Sequence, residues 1–305
     1  MRLGLAHLVD PRLLPLAEQS RAFYDGRVPG RGPSGPAELD ALRAAVPVPV
    51  PADPPPLTEL VGADGHTVPV RIHLPAGVPP AGVVLELHGG GFYLGSAAAS
   101  DVRNRRLADA LGVVVASVDY RLAPEHPWPA APDDCASVAL WLAEHAADRF
   151  GTTELALLGF SAGSTLAAAT LLRMRERGLA PFRTAVLQFG TFDLSGQTPA
   201  GRRIADEYFL DAYAGAAADR THPDLSPVYA DLTGLPPVLL VVGAEDVLLE
   251  DNLAMAGRLA AAGVDVALSI YPEAPHGFTV HPTPLAAAAT AEIDAWLAAH
   301  LTSGG

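Results

Sequence analysis

The chain of 305 residues, half of them hydrophobic, can bury a sizeable core as one large domain, which excludes intrinsic disorder for most of its length. Its 20 basic residues, all arginine, stand against 34 acidic ones for a net charge of −14, which argues against nucleic acid or an anionic membrane surface as a partner. The single cysteine, Cys135, excludes an intrachain disulfide and a Cys/His metal cluster.

Residues 1–10 lack the long apolar core and small-residue cleavage site of a secretion signal, so a cytoplasmic protein is expected. Residues 11–24 and 36–45 read as two short amphipathic stretches around a Gly/Pro-rich linker at 26–36, and the proline-dense run 47–56 predicts a tether. Segments 57–61 and 67–74 flank Asp64-Gly65, a hairpin signal. An apolar run at 83–87 then leads into His88-Gly89-Gly90-Gly91-Phe92.

Beyond it, predicted helices at 98–111, 133–150, 162–177, 251–262 and 285–301 alternate with strands at 113–118, 155–158, 185–189, 238–242 and 264–270. Short apolar strands alternating with helices predict an α/β fold, a mostly parallel sheet covered on both faces. Residues 193–227 break the alternation. They are long, polar and Gly/Pro-punctuated, with one helical piece near 204–213, and read as an insertion over the site. The uncharged stretch 155–172 approaches membrane-spanning length, but Gly159, Ser161, Gly163 and Ser164 and a strand-to-helix break near its start argue against a transmembrane helix.

Gly159-Phe160-Ser161-Ala162-Gly163 fits G-x-S-x-G. The bare pattern also suits an ordinary Gly-rich turn; the strand before it and the helix after it favour a nucleophile elbow. Such a turn lifts the hydroxyl above the carboxyl end of the sheet, at a helix N-terminus that favours developing negative charge. The consecutive glycines of His88–Gly91 leave backbone N–H groups unobstructed, so they can hold an oxyanion from one side, with the N–H of Ala162 on the other. A phosphate cradle is the competing reading, but the loop has neither the Lys and Ser/Thr of a P-loop nor G-x-G-x-x-G. His88 is expected to order the loop by hydrogen bonding rather than to act as a base.

A serine needs a base, and the base needs an orienter. Asp246 follows the strand 238–242 and His276 follows the next one; carboxyl ends of parallel strands share one edge of the sheet. The order Ser, Asp, His is that of α/β-hydrolases. Glu245, Glu250 and Asp251 are nearby rivals to Asp246, which a helix beginning near 251 leaves on the preceding loop. His281 is the local rival to His276. Asp119 and Glu125 read as anchors of a Pro-rich loop, Asp133-Asp134 as a helix start, and Cys135 as a small core residue.

With these residues in place the chain resembles the hormone-sensitive lipase-like esterases, the bacterial family IV group of α/β-hydrolases. The resemblance runs from about Val83 to the C-terminus. It rests on His88–Phe92, on Asp119-Tyr-Arg-Leu-Ala-Pro-Glu-His126 with Pro129 and Asp133-Asp134, on the serine elbow, on Gly234-Leu-Pro-Pro237, on Gly243 with Asp246, and on His276-Gly-Phe278.

What the resemblance implies is an α/β-hydrolase fold and a carboxylic ester hydrolase that needs no metal or cofactor and works through an acyl-enzyme. Ser161 would be the nucleophile, His276 the base then acid, Asp246 the orienter, and Gly90, Gly91 and Ala162 the oxyanion hole, with Gly89 and His88 supporting it. A helical cap formed by about 1–50 and 193–227 would cover a core at 57–192 and 228–305 and limit substrates to small esters. A homodimer is common in such a family.

Three positions depart from the family pattern: Phe160 stands in place of Asp or Thr, Ser164 in place of a glycine, and Val247 in place of the Pro of Asp-Pro-Leu. Amide or lactone hydrolysis would use the same machinery. A catalytically inactive binding protein on the same fold, such as the plant hormone receptors that resemble this family, would lack the histidine present here as His276. A long-chain lipase would carry an apolar lid where 195–225 is polar and charged.

Overall fold

A computed structural model describes residues 4–27, 32–63 and 65–301. Asp64 of the predicted hairpin turn, residues 28–31 of the linker and residues 1–3 and 302–305 lie outside the described residues.

The described strands are β1 (Leu57–Ala63), β2 (His66–His73), β3 (Val83–Leu87), β4 (Val114–Val118), β5 (Leu155–Phe160), β6 (Phe182–Gln188), β7 (Val238–Gly243) and β8 (Val266–Tyr271). They form one sheet in the order β1-β2-β4-β3-β5-β6-β7-β8. The β1–β2 hairpin is antiparallel, β2 joins β4 antiparallel, and every later pairing is parallel. All residues of β3, β4 and β7 are buried, so these strands show no apolar–polar alternation; β7 is wholly apolar, while β3 and β4 carry the buried polar pair Glu86 and Ser117, whose hydroxyl donates to the Glu86 carboxylate.

The helices are α1 (Leu5–Leu8), α2 (Leu14–Tyr24), α3 (Pro36–Ala45), α4 (Asp101–Leu111), α5 (Ala130–Phe150), α6 (Ala162–Glu176), α7 (Tyr208–Ala214), α8 (Leu249–Ala261) and α9 (Pro284–Leu301). On one face of the sheet α5, α6 and α8 share a core with Leu39 of α3 and Leu210 and Tyr213 of α7. On the other face α4 and α9 pack with Ala17 of α2. Helices α4 and α5 each end on a left-handed glycine, Gly112 and Gly151, which supplies the positive φ at no steric cost.

Several boundaries differ from those expected. Helix α5 starts at Ala130, so Asp133 and Asp134 lie inside its first turns; Asp134 faces inward and accepts from the Arg121 backbone N–H at 2.9 Å. The apolar stretch at 155–172 divides into β5 and α6 at Ser161, and among the described residues no helix is long and apolar enough to cross a membrane.

The sheet register prepares the site. Leu87 aligns with Gly159, Phe160 with Gln188, Gln188 with Val241 and Gly243 with Tyr271. The loops leaving β3, β5, β6, β7 and β8 therefore rise from one edge.

Candidate active site

Ser161 sits on a turn with φ 52° and ψ −118°, a region that costs a non-glycine residue of order 1–3 kcal/mol. Backbone packing holds it there. Its N–H donates to the Gln188 carbonyl at 3.0 Å, and its carbonyl accepts from Ser164 N–H at 2.8 Å. A Cβ on Gly163 would lie 2.0 Å from the Leu87 carbonyl oxygen, and one on Gly159 would lie 2.5 Å from the Ser164 Cα. The start of α6 thus presses directly onto the end of β3, where the glycine loop begins, and only glycine permits that approach. Ser164, unexpected after the elbow, fits because its hydroxyl donates to the Gln188 carbonyl at 2.9 Å.

The glycine loop is bound to the elbow in turn. Gly90 takes φ 127° and Gly91 φ 58°, and a Cβ on Gly89 would lie 2.8 Å from the Phe160 carbonyl oxygen. Among the described residues the N–H groups of Gly90, Gly91 and Ala162 hold no hydrogen bond to the protein, leaving them free to donate. His88 bonds within the loop and to its neighbour Tyr120. Its Nδ1–H donates to the Gly89 carbonyl at 2.8 Å, its ring stacks on Tyr120 at 4.1 Å, and its own carbonyl accepts from the Tyr120 hydroxyl at 2.7 Å. Burial lowers the His88 pKa, which keeps the ring neutral.

The remaining residues converge from β7 and β8. His276 Nε2 lies 2.9 Å from Ser161 Oγ, and its Nδ1 lies 2.9 and 3.1 Å from the two carboxylate oxygens of Asp246. A carboxylate only accepts, so Nδ1 carries the proton and Nε2 accepts from the serine hydroxyl. The Asp246 side chain is fully buried while that of His276 is 39% exposed, so the imidazole bridges an interior anion and the solvent-facing hydroxyl. Leu248 N–H donates to Asp246 Oδ1 at 2.8 Å, and the packing of Gly243 against Ala274, where a Cβ would lie 2.0 Å from the Ala274 carbonyl oxygen, ties the two loops together.

The rivals fall elsewhere. Glu250 pairs loosely with Arg203 at 3.7 Å, Glu245 is exposed, and His281 meets the Tyr24 hydroxyl at 3.3 Å. Asp251 is buried behind the site and accepts from Phe192 and Asp193 N–H; burial pushes its pKa up to about 7. Asp119 accepts from Ala97 N–H at 3.0 Å and Glu125 pairs with Arg43 at 2.5 Å, both as loop anchors. Cys135 is buried and free, and burial raises its thiol pKa well above normal.

Three contacts were not legible in the sequence. Arg43 of α3 donates to the carbonyls of Tyr93 and Ala123, at 2.9 and 2.7 Å, beside the glycine loop. Arg21 of α2 forms a two-pronged ion pair with Glu273, three residues before His276, at 2.6 and 2.7 Å. Phe189 turns its ring onto His276. The partners in each case are far apart in the chain, and no local motif marks them.

A strained serine hydroxyl bonded to an imidazole, itself bonded to a buried carboxylate, is an arrangement that can attack a carbonyl. The sequence profile of a family described as alpha/beta hydrolase fold matches residues 84–280. This chain belongs to the α/β-hydrolases, in their hormone-sensitive lipase-like group. The hydrolase is 35% identical over 234 residues to an ethyl acetate hydrolase of Pseudomonas putida, covering 72% of this chain and 74% of that protein. It is 36% identical over 234 residues to a carboxylesterase of Mycobacterium tuberculosis, covering 72% and 73%. Among solved structures, an esterase of Pyrobaculum calidifontis aligns with a TM-score of 0.79 at 27% identity, over 97% of the hydrolase and 100% of that chain. An esterase from the bacterial hormone-sensitive lipase family aligns with a TM-score of 0.72 at 28% identity, over 96% and 99%.

Proposed function

We propose that the chain is a serine carboxylesterase that hydrolyses small esters through an acyl-enzyme. The observation that carries this reading is the continuous Ser161–His276–Asp246 hydrogen-bond chain, with Ser161 held at φ 52°. Ser161 Oγ attacks the ester carbonyl as His276 Nε2 takes its proton, and Asp246 stabilises the resulting imidazolium. The carbonyl oxygen becomes an oxyanion that accepts from the N–H groups of Gly90, Gly91 and Ala162, held in place by Gly89 and His88. His276 then protonates the leaving alcohol. In the second half it draws a proton from water, which attacks the acyl-serine, and it returns that proton to Ser161 Oγ as the bond to the acyl carbon breaks and the acid leaves.

Segments 1–50 and 193–227 act in this reading as the cap. The described part of the second segment supports it: Phe209 of α7 stands over the oxyanion loop with its Cβ 3.5 Å from where a Cβ on Gly91 would lie, beside the Tyr93 ring of the core at the same distance. That roof favours short acyl groups. A homodimer is part of the same proposal, supported by β8, which pairs with β7 on one side and on the other carries, among the described residues, one bridge from Val9 to Ile270. So is a cytoplasmic site of action, which suits one buried, unpaired cysteine.

Hydrolysis rates on p-nitrophenyl esters from acetyl to palmitoyl, for the native protein and Ser161→Ala, test the reading. Activity is expected to peak at short chains and to fall by about 10⁴-fold or more in the variant, with the fold intact. Turnover that survives Ser161→Ala would refute it.

A further inference from the structure

The residues around Ser161 and His276 form a second layer that none of the hydrogen bonds above requires. Phe189, fully buried at the end of β6, turns through a positive φ of 37° and sets its ring edge-to-face against the His276 imidazole, centroids 5.0 Å apart and planes at 70°. Phe160, directly before the serine, meets Phe189 edge-to-face in turn, at 4.7 Å and 90°. The Phe160 ring also lies against the oxyanion loop, where a Cβ on Gly89 would approach its Cδ1 to 2.6 Å. Above it the Arg103 guanidinium stands 5.2 Å from the ring centroid. That guanidinium is fixed from behind by buried Glu86 of β3, which accepts from it at 3.0 Å and from Ser100 at 3.2 Å.

We propose that Phe189, backed by Phe160, is a positioning residue that holds the plane of the His276 imidazole and couples it to the oxyanion loop. This rests on the esterase reading above. The ring is tethered by two hydrogen bonds lying in its own plane, one to Asp246 and one to Ser161. Such tethers leave tilting about the line between the two nitrogens soft. The Ser161 tether disappears once the serine is acylated, and His276 must then aim Nε2 at an incoming water with Asp246 alone. An aromatic edge-to-face contact on the side of the ring resists that tilt at both stages. Because Phe160 touches both Phe189 and Gly89, the base and the oxyanion donors are referenced to one rigid body, an aromatic pair of buried Phe189 and half-buried Phe160 held by Arg103. Phe189 keeps a backbone conformation unusual for a bulky residue, held by its N–H donating to the Val241 carbonyl at 2.7 Å, and that turn aims the ring at His276.

The experiment compares native protein, Phe189→Leu, Phe160→Leu, Phe160→Tyr and Ser161→Ala on p-nitrophenyl acetate. It records kcat, KM, Tm and the downfield proton resonance of the His276 Nδ1–H···Asp246 bond. Loss of orientation is expected to lower kcat about tenfold in Phe189→Leu, and by a smaller factor in Phe160→Leu, with KM changed less than about twofold. The downfield resonance should broaden in both. Phe160→Tyr, which keeps the ring at a half-buried position, should retain native kcat. Should Phe189→Leu fail to fold, the Phe160 pair alone decides. Native kcat in both leucine variants, a change confined to KM, or equal losses in Phe160→Leu and Phe160→Tyr would each overturn the positioning role. Full activity in Ser161→Ala would instead refute the esterase reading itself.

Discussion

The two halves of the site are held by different physics. The elbow and the glycine loop are fixed backbone against backbone, with Gly159, Gly163, Gly89 and Gly90 each standing where a Cβ would strike main-chain atoms between 2.0 and 2.8 Å away. The loops bearing Asp246 and His276 also meet through Gly243, but the histidine loop owes much of its placement to side chains: the Phe189 ring, the Tyr24–His281 contact and the Arg21–Glu273 pair. Backbone contacts allow almost no adjustment, because neither party can rotate away. Side-chain contacts can be weakened by degrees. The elbow and glycine loop are therefore all-or-none, and the loop bearing His276 is tunable.

The largest expected effect on stability comes from Gly163→Ala. Its methyl group would overlap the Leu87 carbonyl, and we expect a loss of about 3 kcal/mol or more, seen as a Tm lower by about 5 °C or more. A near-native Tm would break the contrast between the halves.

Next comes Asp251, which accepts from Phe192 and Asp193 N–H and so ties down the loop that follows Phe189. Its folded pKa of about 7 lies above the ordinary carboxyl value of 3.8, so the stability it contributes is complete below about pH 4 and is lost as pH rises through 7. Urea unfolding at pH 5 and pH 8 should show this fall, of about 3 kcal/mol at most, in native protein. In Asp251→Asn the difference should largely vanish, and an unchanged pH dependence would place the titration elsewhere.

Smaller effects separate helices α3 and α2. Arg43→Ala removes charged donors from the Tyr93 and Ala123 carbonyls beside the glycine loop, and should cost about 2 kcal/mol in urea unfolding. Arg21→Ala removes an exposed pair on the histidine loop; its Tm should hardly move and its kcat should fall by about twofold or less. If Arg21→Ala proved the more damaging of the two, the histidine loop would depend on α2 far more than an exposed pair can explain.

Motif residues were legible because local geometry selects them. A strand-to-helix turn with a serine at positive φ demands small neighbours, so G-x-S-x-G marks Ser161. A loop with free N–H groups demands glycine, so His88–Gly91 marks the candidate oxyanion loop. Asp246 and His276 could be picked out because both follow strands whose carboxyl ends share one edge. Phe160 was visible only as an odd residue in its motif; its contacts with Phe189, Gly89 and Arg103 explain why a ring fits there.

The sequence by itself determined the parallel sheet, its loop edge and the residues of the candidate triad, since apolar runs and glycine patterns are consequences of local backbone requirements. The tertiary structure alone decided how those groups are kept still. Arg21 reaches Glu273 across 252 positions, and Arg43 reaches Ala123 across 80. Phe189 meets His276 only because β6 lies beside β7, and β7 beside β8. Contacts between side chains far apart in the chain depend on how the whole sheet and its helices pack, and no short stretch of sequence carries that information.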